Sequence, residues 1–378
     1  MTTQPALSPS PTPSGVDALA STDSPSSTDA PLSTDAAAAR SRELAASIAQ
    51  DPTRHRMLTG DRPTGDLHIG HYLSSLRSRV ALQDAGVDSF VLIADYQVIT
   101  DRDSVGRLQD HTFSLLADYL AAGVDPRRST IFTHSAVPAL NQLMLPFLSL
   151  VTQAELLRNP TVKDELAASR RPLSGLLLTY PVHQAADILF CQADVVPVGR
   201  DQLPHLEQTR VIARRFNARY ADGAALFPEP SALLNDQQLI LGTDGRKMSK
   251  TRGNVIRLAA TEYETAALLR KARTDSESTI TYEPERRPEV ANLLTIAAGF
   301  TGETPEALAA AVGSGGGALK ALVIEAVNEG LRAHRERRRE LVADRAQLVE
   351  ILHEGNARAN AVAEATLAEV RRAMSMDY

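Results

Sequence analysis

Between Arg56 and Tyr220 the chain alternates short apolar runs with long amphipathic stretches, and this alternation restricts the fold more than any other feature. Met57-Leu58-Thr59, Phe90-Val91-Leu92-Ile93-Ala94, Thr130-Ile131-Phe132-Thr133 and Asp194-Val195-Val196-Pro197-Val198 read as buried strands. Helical stretches separate them, near 67–84 (closed by Gly86), 104–122, 138–157 and 175–191, and another follows over 201–220. Strand and helix alternating in this way predict an α/β fold, a doubly wound parallel sheet that binds nucleotides at the ends of its strands. Beyond about residue 255 the strand signals stop, and Ala-, Leu-, Glu- and Arg-rich stretches predict a second, all-helical domain.

At 378 residues with 43% hydrophobic content, the chain has enough apolar material for one large or two modest cores. Residues 1–35 differ: they are Pro-, Ser-, Thr-, Ala- and Asp-rich, lack Lys and Arg, and repeat Ser-Thr-Asp at 21–23, 27–29 and 33–35. Such a segment buries too little apolar area to offset its ordering entropy, which predicts a disordered tail before a lead-in helix over 36–51. The organisation expected is therefore tail 1–35, helix 36–51, catalytic α/β domain 52–255 and helical domain 256–378. The one cysteine, Cys191, permits no intramolecular disulfide and no cysteine-built metal site. With no apolar run of membrane-spanning length and no secretion signal, a cytoplasmic protein without membrane partners is expected. A net charge of −6 argues against a uniformly basic DNA-binding surface while leaving room for local basic patches.

Two motifs can carry chemistry. His68-Ile69-Gly70-His71 lies where the first strand's Gly/Pro-rich turn hands over to a helix. There the two imidazoles share a helix face, Gly70 lets a nucleotide approach the backbone, and the helix N-terminus offers free N–H donors. The bland alternatives are a surface histidine pair or half of a metal site, and no third ligand at metal spacing is visible. Far downstream, Lys247-Met248-Ser249-Lys250-Thr251 sits in a loop punctuated by Gly242, Gly245 and Gly253. Two ammonium groups on a hinged loop can close over a polyphosphate and neutralise a departing pyrophosphate; alone, the segment is merely an exposed basic loop.

In this order the pair resembles the HIGH and KMSKS signatures of class I aminoacyl-tRNA synthetases, with KMSKT here keeping the final hydroxyl. The resemblance runs over about 56–373 and is closest to the bacterial tryptophanyl enzymes, particularly their divergent auxiliary type. It is carried by Tyr180-Pro181, Ala185–Leu189, Val196–Gln202 with His205, Glu207 and Arg210, Arg215–Asn217, Thr274–Glu277 and Asn292–Leu294. It implies a Rossmann-type catalytic domain, a helical anticodon-binding domain and a homodimer, with L-tryptophan, ATP, Mg²⁺ and tRNA(Trp) as substrates and partners and no resident metal. By the same resemblance His68, His71, Lys247 and Lys250 are catalytic; Arg62, Gly70, Gly199, Asp201, Met248 and Ser249 hold ATP. Leu58, Gly60, Tyr180, Gln184, Asp187, Val196, Val198 and Gln202 form the tryptophan pocket, with Asp187 accepting the indole N–H.

An exposed or ion-paired aspartate is the alternative for Asp187, and a helix N-cap the alternative for Asp201. Leu58, Gln97 and Gln184 depart from the residues the family favours at their positions. Arg62 replaces a neutral amide, and Glu165 stands where a phosphate-binding lysine is sought, a role Lys163, Arg170 or Arg171 would then take. Arg335, Arg337, Arg338 and Arg339 form the densest basic cluster, read as a solvated helix face or as a contact for tRNA backbone. The rival functions are a tyrosyl-tRNA synthetase, a non-catalytic synthetase paralogue that binds or regulates, and a small nucleotidyltransferase.

Overall fold

The structure is a computed structural model, and it describes residues 34–99, 107–169, 172–234, 240–248 and 252–378. The expected tail thus lies outside the described residues up to 33, and Thr34 and Asp35 already belong to the helix Thr34–Gln50. Five strands form one parallel sheet: β1 (Arg56–Asp61), β2 (Asp88–Ile93), β3 (Ser129–Thr133), β4 (Val195–Val198) and β5 (Ser231–Leu234), in the order β3-β2-β1-β4-β5. The order reverses at β1, which lies between β2 and β4, so the crevice beyond the carboxyl ends of β1 and β4 is the topological switch point.

Alternate residues of the central strands face opposite layers. Val91, Ile93 and Ile131 join one apolar cluster with Leu67, Ile69, Leu73 and helical residues from Leu269 to Leu352. Leu58, Phe90, Leu92 and Phe132 join the other, with Ala185, Ala186, Phe190, Val196 and residues of the last helix as far as Val370. The helices after residue 255 therefore continue both layers of the sheet. Both sheet edges are sealed by helices. Leu234 N–H of β5 donates to Ser41 Oγ in the helix Thr34–Gln50 (2.8 Å), and Thr133 N–H of β3 donates to Asn356 Oδ1 in the helix Arg345–Ala373 (3.0 Å). On that last helix a Cβ at Gly355 would stand 1.8 Å from Ile131 O, so only glycine permits the approach.

The helix after β1 is α-helical over Ile69–His71, π over Tyr72–Leu76 and α again over Arg77–Ala85, where Gly86 at φ 106° closes it. The expected 138–157 helix is two, Ala139–Leu148 and Gln153–Arg158, because Thr152 and Glu155 form a capping box that starts the second. No described helix is long and apolar enough to cross a membrane.

Candidate active site at the switch point

The turn after β1 and the lysine-bearing loop meet in space. Ile69 N–H donates to Ile256 O (3.0 Å), Leu258 N–H donates to Leu67 O (2.9 Å), and His68 pairs antiparallel with Arg257. A Cβ on Gly70 would lie 3.0 Å from the His68 ring and 3.4 Å from Met248 Sδ. Glycine thus leaves room between the histidines and the methionine, and the two motifs share one wall. His68 is the N-cap of its helix, its backbone N–H donating to His71 Nδ1 (3.3 Å), with ring centroids 3.8 Å apart.

Lys247 is exposed at the end of a hairpin in which Gly242 N–H donates to Arg246 O and Leu241 pairs with Lys247. Gly245, at φ 76°, makes its turn. Asn292 pins the hairpin's base from the helix Pro288–Thr301, accepting from Leu241 N–H (2.7 Å) and donating to Leu241 O (3.1 Å). Ser249, Lys250 and Thr251 lie outside the described residues, as do Arg170 and Arg171 and the side chain of Glu165.

Asp61 closes β1 and holds the switch-point turn. Its carboxylate accepts from Arg79 Nη1 (2.6 Å) and from the Tyr119 hydroxyl (2.7 Å). Burial would raise its carboxyl, but Arg79 outweighs this and holds it at about 2. Arg62, in the same turn, is half-buried. Gly60 pairs in register with Leu92 of β2, and a Cβ there would meet Leu92 O at 2.5 Å. At the end of β4, a Cβ on Gly199 would meet Asp201 Oδ1 at 2.6 Å. Asp201 is exposed and accepts from Gln202 Nε2 (3.1 Å). It is not the cap expected as its alternative: the helix Leu203–Tyr220 has Gln202 at its N-cap and no side-chain cap bond.

Leu58 and Val196 lie in one apolar cluster, with Val198 packed against it. Facing them is the helix Gly175–Leu189, started by the Ser174 side chain. On it Tyr180 is buried, its hydroxyl 3.0 Å from His205 Nε2, while Gln184 is half-buried. Burial pushes His205 down to about 4, so it is neutral. Asp187 is 1% exposed, and the solvent-facing alternative does not describe it. Its neighbours are His134 from the end of β3, whose Nε2 lies 2.8 Å from Asp187 Oδ1, and His183 one turn earlier on its own helix. Both Asp187 oxygens, both His134 nitrogens and His183 Nε2 are buried without an aligned hydrogen-bond partner. This cluster holds carboxylate and imidazole atoms poised for a ligand in an otherwise apolar wall.

These three residues also offer donor atoms within 4.8 Å of one another, a set that could hold a metal ion. His134 stands far from His183 and Asp187 in the sequence, which is why an expectation of no metal set, weighed on the His68–His71 spacing, passes them over. The basic cluster also differs from a solvated face. Arg338 donates to Asp118 Oδ1 (2.6 Å) and Ser114 Oγ (2.7 Å), and Arg335 to Asn328 and Thr265; only Arg337 and Arg339 are exposed. Asp118 in turn accepts from Leu67 N–H (3.2 Å), next to His68.

A profile of the tRNA synthetases class I (W and Y) matches residues 50–332. The tryptophan–tRNA ligase of Clostridium longisporum is 40% identical over 336 residues, 85% of this chain and 97% of that protein. The tryptophan–tRNA ligase of Thermotoga maritima is 37% identical over 85% of this chain and all of its own length. A crystal structure of tryptophanyl-tRNA synthetase from Campylobacter jejuni complexed with ADP and tryptophan superimposes with a TM-score of 0.75 at 30% identity, covering 85% of this chain and 99% of that one.

Proposed function

The chain belongs to the class I tRNA synthetases for tryptophan and tyrosine, and from that premise we propose that it activates L-tryptophan with ATP and transfers the tryptophanyl group to tRNA(Trp). The observation that carries this reading is the junction at Gly70, where Met248 Sδ comes within 3.4 Å of a would-be side chain and the 67–69 and 256–258 segments pair. It brings a histidine-lined helix N-terminus and a lysine hairpin to the same crevice.

In the first step a tryptophan carboxylate oxygen attacks the α-phosphorus of ATP, which enters as its Mg²⁺ complex. A new P–O bond forms as the bond to the β-phosphate bridge breaks, and pyrophosphate leaves with the electron pair. No protein nucleophile is needed, so catalysis rests on alignment and charge stabilisation. We assign His68 and His71 to the phosphates, with Gly70 and Arg62 beside them, and Lys247 and Lys250 to the departing pyrophosphate. Met248 and Ser249 border the adenine, with Gly199 and Asp201 near the ribose. Leu58, Gly60, Val196 and Val198 wall the indole, Gln184 borders it, and Asp187 accepts its N–H. Tyr180 and Gln202 attend the α-amino group. The helices after 255 read the anticodon, and two chains share each tRNA.

Tryptophan is favoured over tyrosine because relatives at 37 and 40% identity are tryptophan–tRNA ligases and because a buried acceptor in an apolar wall suits an indole N–H. Pyrophosphate–ATP exchange with tryptophan, tyrosine or no amino acid, followed by charging of tRNA(Trp), tests the proposal. Exchange should require tryptophan; dependence on tyrosine would assign the rival specificity. No exchange at all would mean a non-catalytic binding protein, and exchange without charging a nucleotidyltransferase-like activity.

A further inference from the structure

We infer that His134 is a positioning residue for substrate recognition: its Nε2 lies 2.8 Å from Asp187 Oδ1, not aligned as a hydrogen bond as the side chains stand, and a small rotation of the carboxylate on substrate binding makes Nε2 the donor to that oxygen while the other oxygen faces the indole N–H. The inference rests on the proposed role of Asp187 and extends it to a side chain that no motif marks.

The imidazole is held from every side. Thr133 N–H donates to Asn356 Oδ1 (3.0 Å) and Asn360 Nδ2 donates to Ala136 O (2.6 Å), so the main chain on both flanks is pinned by the last helix. Ser135 donates to Asp95 through both its N–H (3.1 Å) and its hydroxyl. Tyr96 stacks on the His134 ring at 6.2 Å and 14°, and His183 packs tilted against it at 4.6 Å. Of the two ring nitrogens, Nε2 is 2.8 Å from Asp187, while Nδ1 is 4.0 Å from Asp95, beyond hydrogen-bond reach. Nε2 is therefore the ring nitrogen placed to present a proton to Asp187. Asp187 is buried on a helix whose neighbouring residues are Ala, Ile and Leu, where a carboxylate without a polar partner is costly. A donor beside one oxygen fixes the plane of the carboxylate and leaves the other oxygen to accept from the substrate. His183, also buried, packs against the His134 ring and helps fix its position.

The test compares tryptophan with its benzothiophene analogue, which carries sulfur in place of the indole N–H, in pyrophosphate exchange. In His134→Phe, kcat/KM for tryptophan should fall about 10- to 100-fold, mainly through KM, while the analogue changes by less than about 3-fold. His134→Gln, whose amide can donate to the same oxygen, should restore most of the discrimination. Equal losses for both substrates, without rescue by glutamine, would make His134 a packing residue and overturn the inference. Asp187→Ala separates the two layers of argument. Should it leave discrimination intact, the reading of Asp187 itself fails; should it abolish discrimination while His134→Phe does not, only the present inference fails. Should His134→Phe not fold, ¹⁵N-histidine NMR of the unsubstituted protein decides: His134 must be the Nε2–H tautomer, and an Nδ1–H tautomer would overturn it.

Discussion

Arg79 shows what a single side chain contributes to the site's frame. It is 4% exposed, it contacts Asp61 at the end of β1, and the Tyr119 hydroxyl completes the group. Removing one partner of a buried pair leaves the other charge uncompensated, so Arg79→Met should destabilise the protein by about 3–5 kcal/mol in denaturant titration. Asp61→Asn with Arg79→Met should recover part of that loss, and a double variant no more stable than the single would show that packing, not charge, is what Arg79 supplies. The residues of the nucleotide cradle are legible in the sequence because they are contiguous: a glycine between two histidines implies its own geometry. Asp61, His134 and His183 are not legible in that way. Asp61 meets Arg79 and Tyr119, and His134 meets His183 and Asp187, only when helices pack beside the strand ends, and a histidine between Thr133 and Ser135 carries no local sign that an aspartate lies 53 residues further on.

The secondary-structure elements were legible in proportion to their regularity. β2 to β4 announce themselves through β-branched and aromatic residues and β1 through its short apolar run, whereas β5, Ser231-Ala232-Leu233-Leu234, has no β-branched residue and is a strand only because β4 and the helix Thr34–Gln50 flank it. The arginines of the helix Arg332–Ala343 mislead for a related reason. A dense charge run suggests a wet face, yet Arg338 reaches inward to a fully buried Asp118 that also holds Leu67 N–H. The packing of the last helix on β3 is testable in isolation. Gly355→Ala forces a methyl group into Ile131 O and should cost about 1–3 kcal/mol of stability, read as a lowered urea midpoint with an unchanged slope. A neutral result would mean that the helix can lift off the strand freely.

For the molecule as a whole, acid response follows from buried groups of opposite sense. His205 and His334 are pushed down by burial to about 4. The unfolded chain binds their protons from pH 6.5 downward while the folded chain refuses them, so their stabilisation is complete above 6.5 and is lost as pH falls towards 4. Asp118 acts the other way. Burial outweighs Arg338 and lifts it to about 6, so its contribution is present below its ordinary 3.8 and is lost as pH rises through 6. Each shift is worth about 3 kcal/mol, and two groups oppose one. Net stability should therefore fall by roughly 3 kcal/mol between pH 6.5 and 4. His205→Asn should flatten that slope and Asp118→Asn should steepen it, both read from urea titrations at several pH values; an unchanged slope in both would remove these groups as the cause.

The two helices that close the sheet's edges lie at opposite ends of the described chain, one opening at Thr34 and the other spanning Arg345–Ala373. During synthesis on the ribosome, β5 finds its cover already made, but β3 must wait through more than two hundred further residues for Asn356 to arrive. A nascent chain halted after β5 but before Asn356 would carry a finished sheet with one bare flank, ready to recruit a neighbour's backbone. Truncation near the carboxyl end should thus yield a product that is adhesive before it is merely inactive.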